Sequence, residues 1–220
     1  MSYSQHLVGN FIIPPVLDVV AIILFAITGA LSAAKRDYDW IGIIAIALVT
    51  GCGGGLIRDI LLNVRPVILE HEPYLWAVIA AVLLSVYFCN FLSRLRWVFI
   101  GADALGLAMY AVFGTQKTLL EGFGLTAAIL VGTLNSIGGG LIRDILTREE
   151  VSLLKPGQWY TVIGFGASTA FGVGVCYTDF PAAAVGAVVV VLAFAARLLA
   201  SHFDLQTRPI KPIGFEASRW

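Results

Sequence analysis

The sequence is short of charge. Of its 220 residues only 13% are Asp, Glu, Lys or Arg, about half the share of an average soluble domain. The charge that exists is balanced, with 14 Lys and Arg against 14 Asp and Glu. That balance excludes a basic nucleic-acid binder and gives no pull toward a polyanionic partner. Cysteine is scarce as well. Cys52, Cys89 and Cys176 each sit inside an apolar run and form no C-x-x-C pair. This excludes a disulfide scaffold and reads as burial of small hydrophobes. The histidines, His6, His71 and His202, are scattered without ligand spacing, so no structural metal site is expected. There is no H-E-x-x-H and no nucleophile–base–orienter set, which speaks against an intramembrane enzyme. No cofactor is expected.

What is abundant is apolar surface. The hydrophobic share is 59% and the mean hydropathy is +0.89. A soluble chain of this size has no core large enough to hide so much, so lipid is the expected solvent. A bilayer core of about 30 Å takes about 20 apolar helical residues. Seven stretches qualify: 16–34 with one charge at Asp18, 40–57 leading into Arg58, 73–93, 97–116 with one charge at Asp103, 122–142 leading into Arg143, 156–178, and 180–196 leading into Arg197. Their connections are short, so residues 1–220 read as one membrane domain. No Lys or Arg precedes the first stretch and no small-x-small cleavage site follows it, so the first helix is expected to stay in the mature chain.

Seven helices place the termini on opposite sides. Lys35, Arg36, Arg94, Arg96, Arg148, Lys155, Arg197, Arg208, Lys211 and Arg219 fall on one side, Arg65 and Lys117 on the other. The positive-inside rule then puts the N-terminus out and the C-terminus in the cytoplasm.

The segment GGGLIRDIL occurs at 53–61 and again at 138–146, an offset of 85 residues. Carried back without a gap, the offset matches Asp18 with Asp103, Ala26 with Ala111, Gly29 with Gly114 and Ile44 with Ile129. The chain therefore contains a duplicated three-helix unit, 14–93 and 97–178, followed by a seventh helix at 180–203. An odd number of helices per unit turns the second copy upside down. The expected fold is an all-α integral membrane protein, a 3+3 inverted repeat plus one, N-out and C-in. Repeats of this kind place their sites near the midplane, where the copies meet.

Each copy sets three glycines in a membrane helix: Gly53, Gly54 and Gly55, then Gly138, Gly139 and Gly140. Each Gly weakens a helix interior by about 1 kcal/mol relative to Ala. One reading is a broken helix whose freed carbonyls border a permeation path, since such backbone survives at membrane depth only where it is packed or wet. The other is close packing of small residues. Thr50 is matched by Asn135 and Gly51 by Ser136. These can offer oxygens to an ion or bond back to their own helices. The segment lacks Gly-Lys-[Ser/Thr] and a preceding strand, so it is no nucleotide loop. The seventh stretch has no lysine for a retinal Schiff base.

Arg58-Asp59 and Arg143-Asp144 lie one turn past the glycines. Charges at that depth face a bundle interior and find partners. Arg58 is expected to pair with Asp18 and Arg143 with Asp103, with Asp59 and Asp144 as competing partners. These pairs are structural locks or charged constrictions, one near each mouth of a pore. Lys117, late in the fourth stretch, either reaches the headgroups or adds a charge beside the pore.

The doubled GGGLIRD motif, the duplication and the seventh helix together resemble the prokaryotic trimeric intracellular cation channel family, over about residues 14 to 203. The resemblance implies a homotrimer with one pore per protomer, helices bent at both glycine triplets, and potassium as the permeant ion. Membrane lipids would surround it, a bound phospholipid is the further ligand to look for, and nucleic acid has no part. Animal members carry Lys-Glu-Val at the second motif and bind an inositol lipid there. This chain reads Gly-Leu-Ile-Arg-Asp, so that lipid site does not carry over. Some bacterial relatives look like small amino-acid transporters, notably for glycine. A potassium channel of the bacterial inner membrane is the expected function, with a glycine-type transporter as the alternative and a non-conducting assembly protein third. A proton-coupled pump stays behind a pore, kept open only by Asp18 and Asp103.

Overall fold

The computed structural model describes residues 15–70, 72–87, 96–151 and 159–203. Those residues form eight helices and no strand. They are α1 (Pro15–Ala34), α2 (Trp40–Leu61), α3 (Val67–Glu70), α4 (Glu72–Tyr87), α5 (Arg96–Leu120), α6 (Leu125–Leu146), α7 (Tyr160–Tyr177) and α8 (Ala182–His202). Each of the seven apolar stretches overlaps one long helix, and α3 is a single extra turn. By length and composition α2, α5, α6, α7 and α8 are able to cross a bilayer, and α1 adds a shorter apolar helix from Asp18 to Ala34. Large apolar side chains such as Ile41, Trp76, Phe180 and Val191 point outward, a surface that suits lipid or another subunit rather than water. Cys89, His6, His71, Arg94, Lys155, Arg208, Lys211 and Arg219 lie outside the described residues. So do the ends of two stretches, 88–93 and 156–158, and the segment before the first stretch.

The chain's local chemistry sets the ends of the two central helices. Asp39 caps α2, its Oδ1 accepting from the Gly42 N–H at 2.7 Å. That satisfies one of the four donors a helix start leaves open. At the other end of α2, Val64 N–H donates to Asp59 O at 3.0 Å and Asn63 N–H to Ile60 O at 3.1 Å. Glu149 N–H and Arg148 N–H repeat this on Asp144 O and Ile145 O at the end of α6. Asn63 (φ 54°) and Arg148 (φ 53°) both take the left-handed conformation that this closing motif needs. Asn tolerates it better than Arg.

Contacts between α2 and α6 reciprocate across the 85-residue offset. A Cβ on Gly54 would run into the Asn135 carbonyl oxygen, and one on Gly139 would stand 2.5 Å from the Thr50 carbonyl oxygen. A Cβ on Gly53 would meet Ile142, and one on Gly138 would meet Ile57. Phe25 of α1 stacks on its equivalent, Tyr110 of α5, with ring centroids 5.3 Å apart. Such self-complementary pairing is the mark of a two-fold relation. Numbers rise along α2 as they fall along α6, so the two helices cross antiparallel.

The sequence allowed a break at each glycine triplet, and here the structure corrects it. Both α2 and α6 stay helical straight through the glycines. The glycines remove side chains so that two backbones can touch, and that contact offsets their poor helix propensity. α8 presents Gly186, Val189, Ala193, Arg197 and Ala200 as one buried stripe, the spacing of a helix face. It packs on α5 and α7, outside the duplicated pair.

Candidate functional site

Two charged clusters flank the α2–α6 crossing. In the first, Arg58 Nε donates to Asp59 Oδ1 at 2.8 Å, and Arg58 Nη1 lies 3.9 Å from Asp18 Oδ1. Lys117 Nζ donates to the same Asp59 oxygen at 2.8 Å, and the Val67 N–H donates to Asp59 Oδ2 at 3.1 Å. Lys117 therefore comes from α5 to a carboxylate of α2. In the second cluster, Arg143 Nη1 donates to Asp103 Oδ1 at 2.7 Å and to Thr28 Oγ1 at 3.0 Å. Arg143 Nε donates to Asp144 Oδ1 at 3.0 Å. Both arginines are buried, as a charge at this depth must be when it is fully paired.

The clusters differ for reasons written in the sequence. Thr28, which holds Arg143 across the two units, aligns with Phe113, which has no hydroxyl to offer Arg58. Lys117 aligns with Ser32. The first cluster thus sets two acids, Asp18 and Asp59, against two bases, Arg58 and Lys117. It borders a small cleft lined by Asp18, Cys52, Gly55, Arg58, Val67 and Tyr110 among others. A Cβ on Gly55 would meet only Arg58, at 3.8 Å. At the equivalent Gly140 the Tyr160 hydroxyl would stand 2.5 Å from such a Cβ, so the space is filled. Phe99 closes the same end, its ring centroid 5.1 Å from Arg143 Cζ.

The polar residues before the glycines divide. Ser136 donates to Thr133 O at 2.7 Å, bonding back to its own helix. Thr50 Oγ1 and Asn135 Oδ1, equivalents across the repeat, are buried with no hydrogen-bond partner. Asn135 Nδ2 is occupied, donating to Tyr110 O at 2.6 Å. Tyr110 was not a candidate from sequence, yet its hydroxyl donates to Gly51 O at 2.8 Å beside the first glycine segment. Its one sequence signal is the alignment with Phe25, where the hydroxyl is the only change. Thr28, Phe99 and Tyr160 gave no signal at all. Arg197, counted on the cytoplasmic side in the charge tally, is buried with its guanidinium 4.9 Å from the Tyr160 ring centroid. Among the described residues no cluster of His, Cys, Asp and Glu is able to hold a metal.

Long apolar helices, outward-facing apolar side chains and buried ion pairs define a polytopic helical membrane protein. The family profile described as "Glycine transporter" matches residues 15–90 and 100–178, so the chain belongs to that family. A "UPF0126 membrane protein" of Deinococcus radiodurans is 33% identical over 177 residues, 79% of this chain and 82% of that protein. The "UPF0126 inner membrane protein YadS" of Escherichia coli is 35% identical over 141 residues, 63% of this chain and 68% of that protein. A solved trimeric intracellular cation channel orthologue from Rhodobacter sphaeroides superposes with a TM-score of 0.81 at 29% identity, covering 87% of this chain and 98% of that one. A structure reported for conductance through TRIC cation channels gives 0.82 at 26% identity, covering 94% and 100%. The likeness read from the doubled motif is thereby shown. These relatives are membrane proteins and channels, not enzymes.

Proposed function

We propose that this chain is a cation channel of the bacterial inner membrane, seven helices per protomer and three protomers per assembly. Potassium is its permeant ion, and each protomer carries its own path alongside the α2–α6 crossing. The observation that carries this reading is the pair of buried, unpartnered oxygens at equivalent positions, Thr50 Oγ1 and Asn135 Oδ1, at a two-fold crossing capped at both ends by charged clusters. An acceptor left unpaired in a dry interior costs free energy; water or a dehydrated cation restores it. The antiparallel α2–α6 crossing supports an inverted second unit. Lys35, Arg36 and Arg148 gather at the Arg143 end, where Arg36 bonds to Arg148 O, and that supports a cytoplasmic placement of this end. Planar-bilayer recording of the purified protein under a potassium gradient tests the reading. Unitary currents reversing near the potassium potential are expected, and a silent bilayer overturns it.

One observation favours a second reading, transport of a small amino acid. The first cluster is charge-balanced and opens on a cleft where Arg58 and Asp18 stand too far apart for a hydrogen bond. A zwitterion fits that arrangement better than a bare cation, with its carboxylate on Arg58 and its ammonium on Asp18. Saturable uptake of labelled glycine by liposomes, without current, would select this reading.

A further inference from the structure

The two ends of the bundle come from one template and are finished differently. The α1–α2 connection (35–39) and the α5–α6 connection (120–124) are equivalents, and each takes a left-handed residue at the same place, Asp37 at φ 55° and Gly122 at φ 85°. Their side chains share nothing else. Lys35, Arg36 and Tyr38 stand where the second copy has Leu120, Glu121 and Phe123. All three of the first set engage the Arg143 end. Tyr38 OH donates to Leu146 O at 3.1 Å, taking a carbonyl that the end of α6 leaves open. Arg36 Nη2 donates to Arg148 O at 3.3 Å. Lys35 Nζ lies 5.1 Å from the centroid of Phe99, the same ring that covers Arg143.

We propose that the α1–α2 connection is a latch on the Arg143 mouth. Lys35, Arg36 and Tyr38 are its positioning residues: Arg36 and Tyr38 fasten the connection to the end of α6, and Lys35 reaches Phe99, the plug over Arg143. Among the described residues the Arg58 mouth has no equivalent of this latch. Leu120 and Phe123 have no group to donate to the end of α2, Glu121 brings an acceptor to an end rich in carbonyls, and the cleft beside Gly55 is unfilled. This rests on the α2–α6 path proposed above, and it assigns the opening step to one mouth.

Cysteine labelling tests it without any ion flux. Cys52 lies on the open cleft; its equivalent on the latched side is Ile137, similarly buried. Two forms of the full chain are compared in detergent with a small cationic methanethiosulfonate, both carrying Cys89→Ala and Cys176→Ala. One keeps Cys52, and the other carries Cys52→Ala with Ile137→Cys. With the latch intact, position 137 should react much more slowly than position 52. Arg36→Ala with Tyr38→Phe should speed labelling at 137 about ten-fold, the effect of losing two exposed hydrogen bonds, and leave position 52 unchanged. Tyr38→Phe alone, which removes one oxygen, should give a smaller rise at 137 only, as should Lys35→Ala. Equal rates at 137 with and without the latch, or equal rises at both positions, overturn the proposal. The expected labelling pattern in a protein that passes no potassium current would count against the conduction reading alone.

Discussion

Arg143 Nη1 donates to Asp103 Oδ1 at 2.7 Å, whereas the equivalent Arg58 Nη1 stands 3.9 Å from Asp18 Oδ1. The same motif thus makes a closed ion pair at one end and a loosened one at the other. Thr28 and Phe99 tighten the first, while Lys117 draws Asp59 and Arg58 together at the second.

Removal of one partner should therefore cost unequal amounts. Asp103→Ala leaves a buried guanidinium short of a counter-charge, and breaking such a pair costs about 3–5 kcal/mol. Asp18 is more than twice as exposed, its side chain 14% against 6% for Asp103, and its distance to Arg58 is longer, so Asp18→Ala should cost less than Asp103→Ala. At about 2–4 °C per kcal/mol for a chain of this size, the melting temperature in detergent should fall by about 10 °C for the first variant and by less for the second. Equal falls would mean that the two pairs are energetically alike.

The glycines offer an internal control. Gly54→Ala would push a methyl into the Asn135 carbonyl and Gly139→Ala would push one toward the Thr50 carbonyl, both backbone atoms of the facing helix. Overpacking of that kind costs about 1–3 kcal/mol, and each should lower the melting temperature. Gly55→Ala meets only the far end of Arg58 at 3.8 Å and should be neutral or slightly stabilising through better helix propensity. Gly140→Ala, its equivalent, meets the Tyr160 hydroxyl and should be destabilising. A loss from Gly55→Ala as large as that from Gly140→Ala would contradict the asymmetry of the two mouths.

Tyr110→Phe removes one buried hydroxyl. The ring sits against Phe25, and Phe already occupies the equivalent place in the first unit, so packing survives the change. The loss includes the donor to Gly51 O, a net cost of about 0.5–1.5 kcal/mol for that bond. Thermal melting should register a fall of a few degrees, with assembly size unchanged on gel filtration.

The repeat explains how much of this was legible in advance. GGGLIRDIL at two places gave the duplication, and the lone acids Asp18 and Asp103 found their arginines because few other partners exist in an apolar helix. The glycine segments misled toward broken helices. Propensity is a property of one helix, whereas Gly54 and Asn135 meet only when α2 and α6 cross. Phe99, Tyr160 and Thr28 were invisible for the same reason: nothing in an apolar run says which aromatic or hydroxyl will face an arginine on another helix. That Arg197 is buried against the ring of Tyr160 was equally invisible, since the apolar run it ends says nothing of the facing helix.

Lys117 carries the prediction that bears most directly on conduction. Its Nζ and the Arg58 guanidinium share one Asp59 oxygen, so Lys117→Met leaves the first cluster with two acids and one base. The Lys117 side chain is 25% exposed, so its field reaches the cleft but is screened by salt. Removing it should make the Arg58 mouth more attractive to cations. Potassium conductance should rise several-fold at low ionic strength, and the gain should shrink as salt is raised. Lys117→Arg keeps the charge and should leave conductance near that of the parent. If both variants conduct alike at every salt concentration, the charge at this position is a structural brace for Asp59 and has no part in the electrostatics of the mouth.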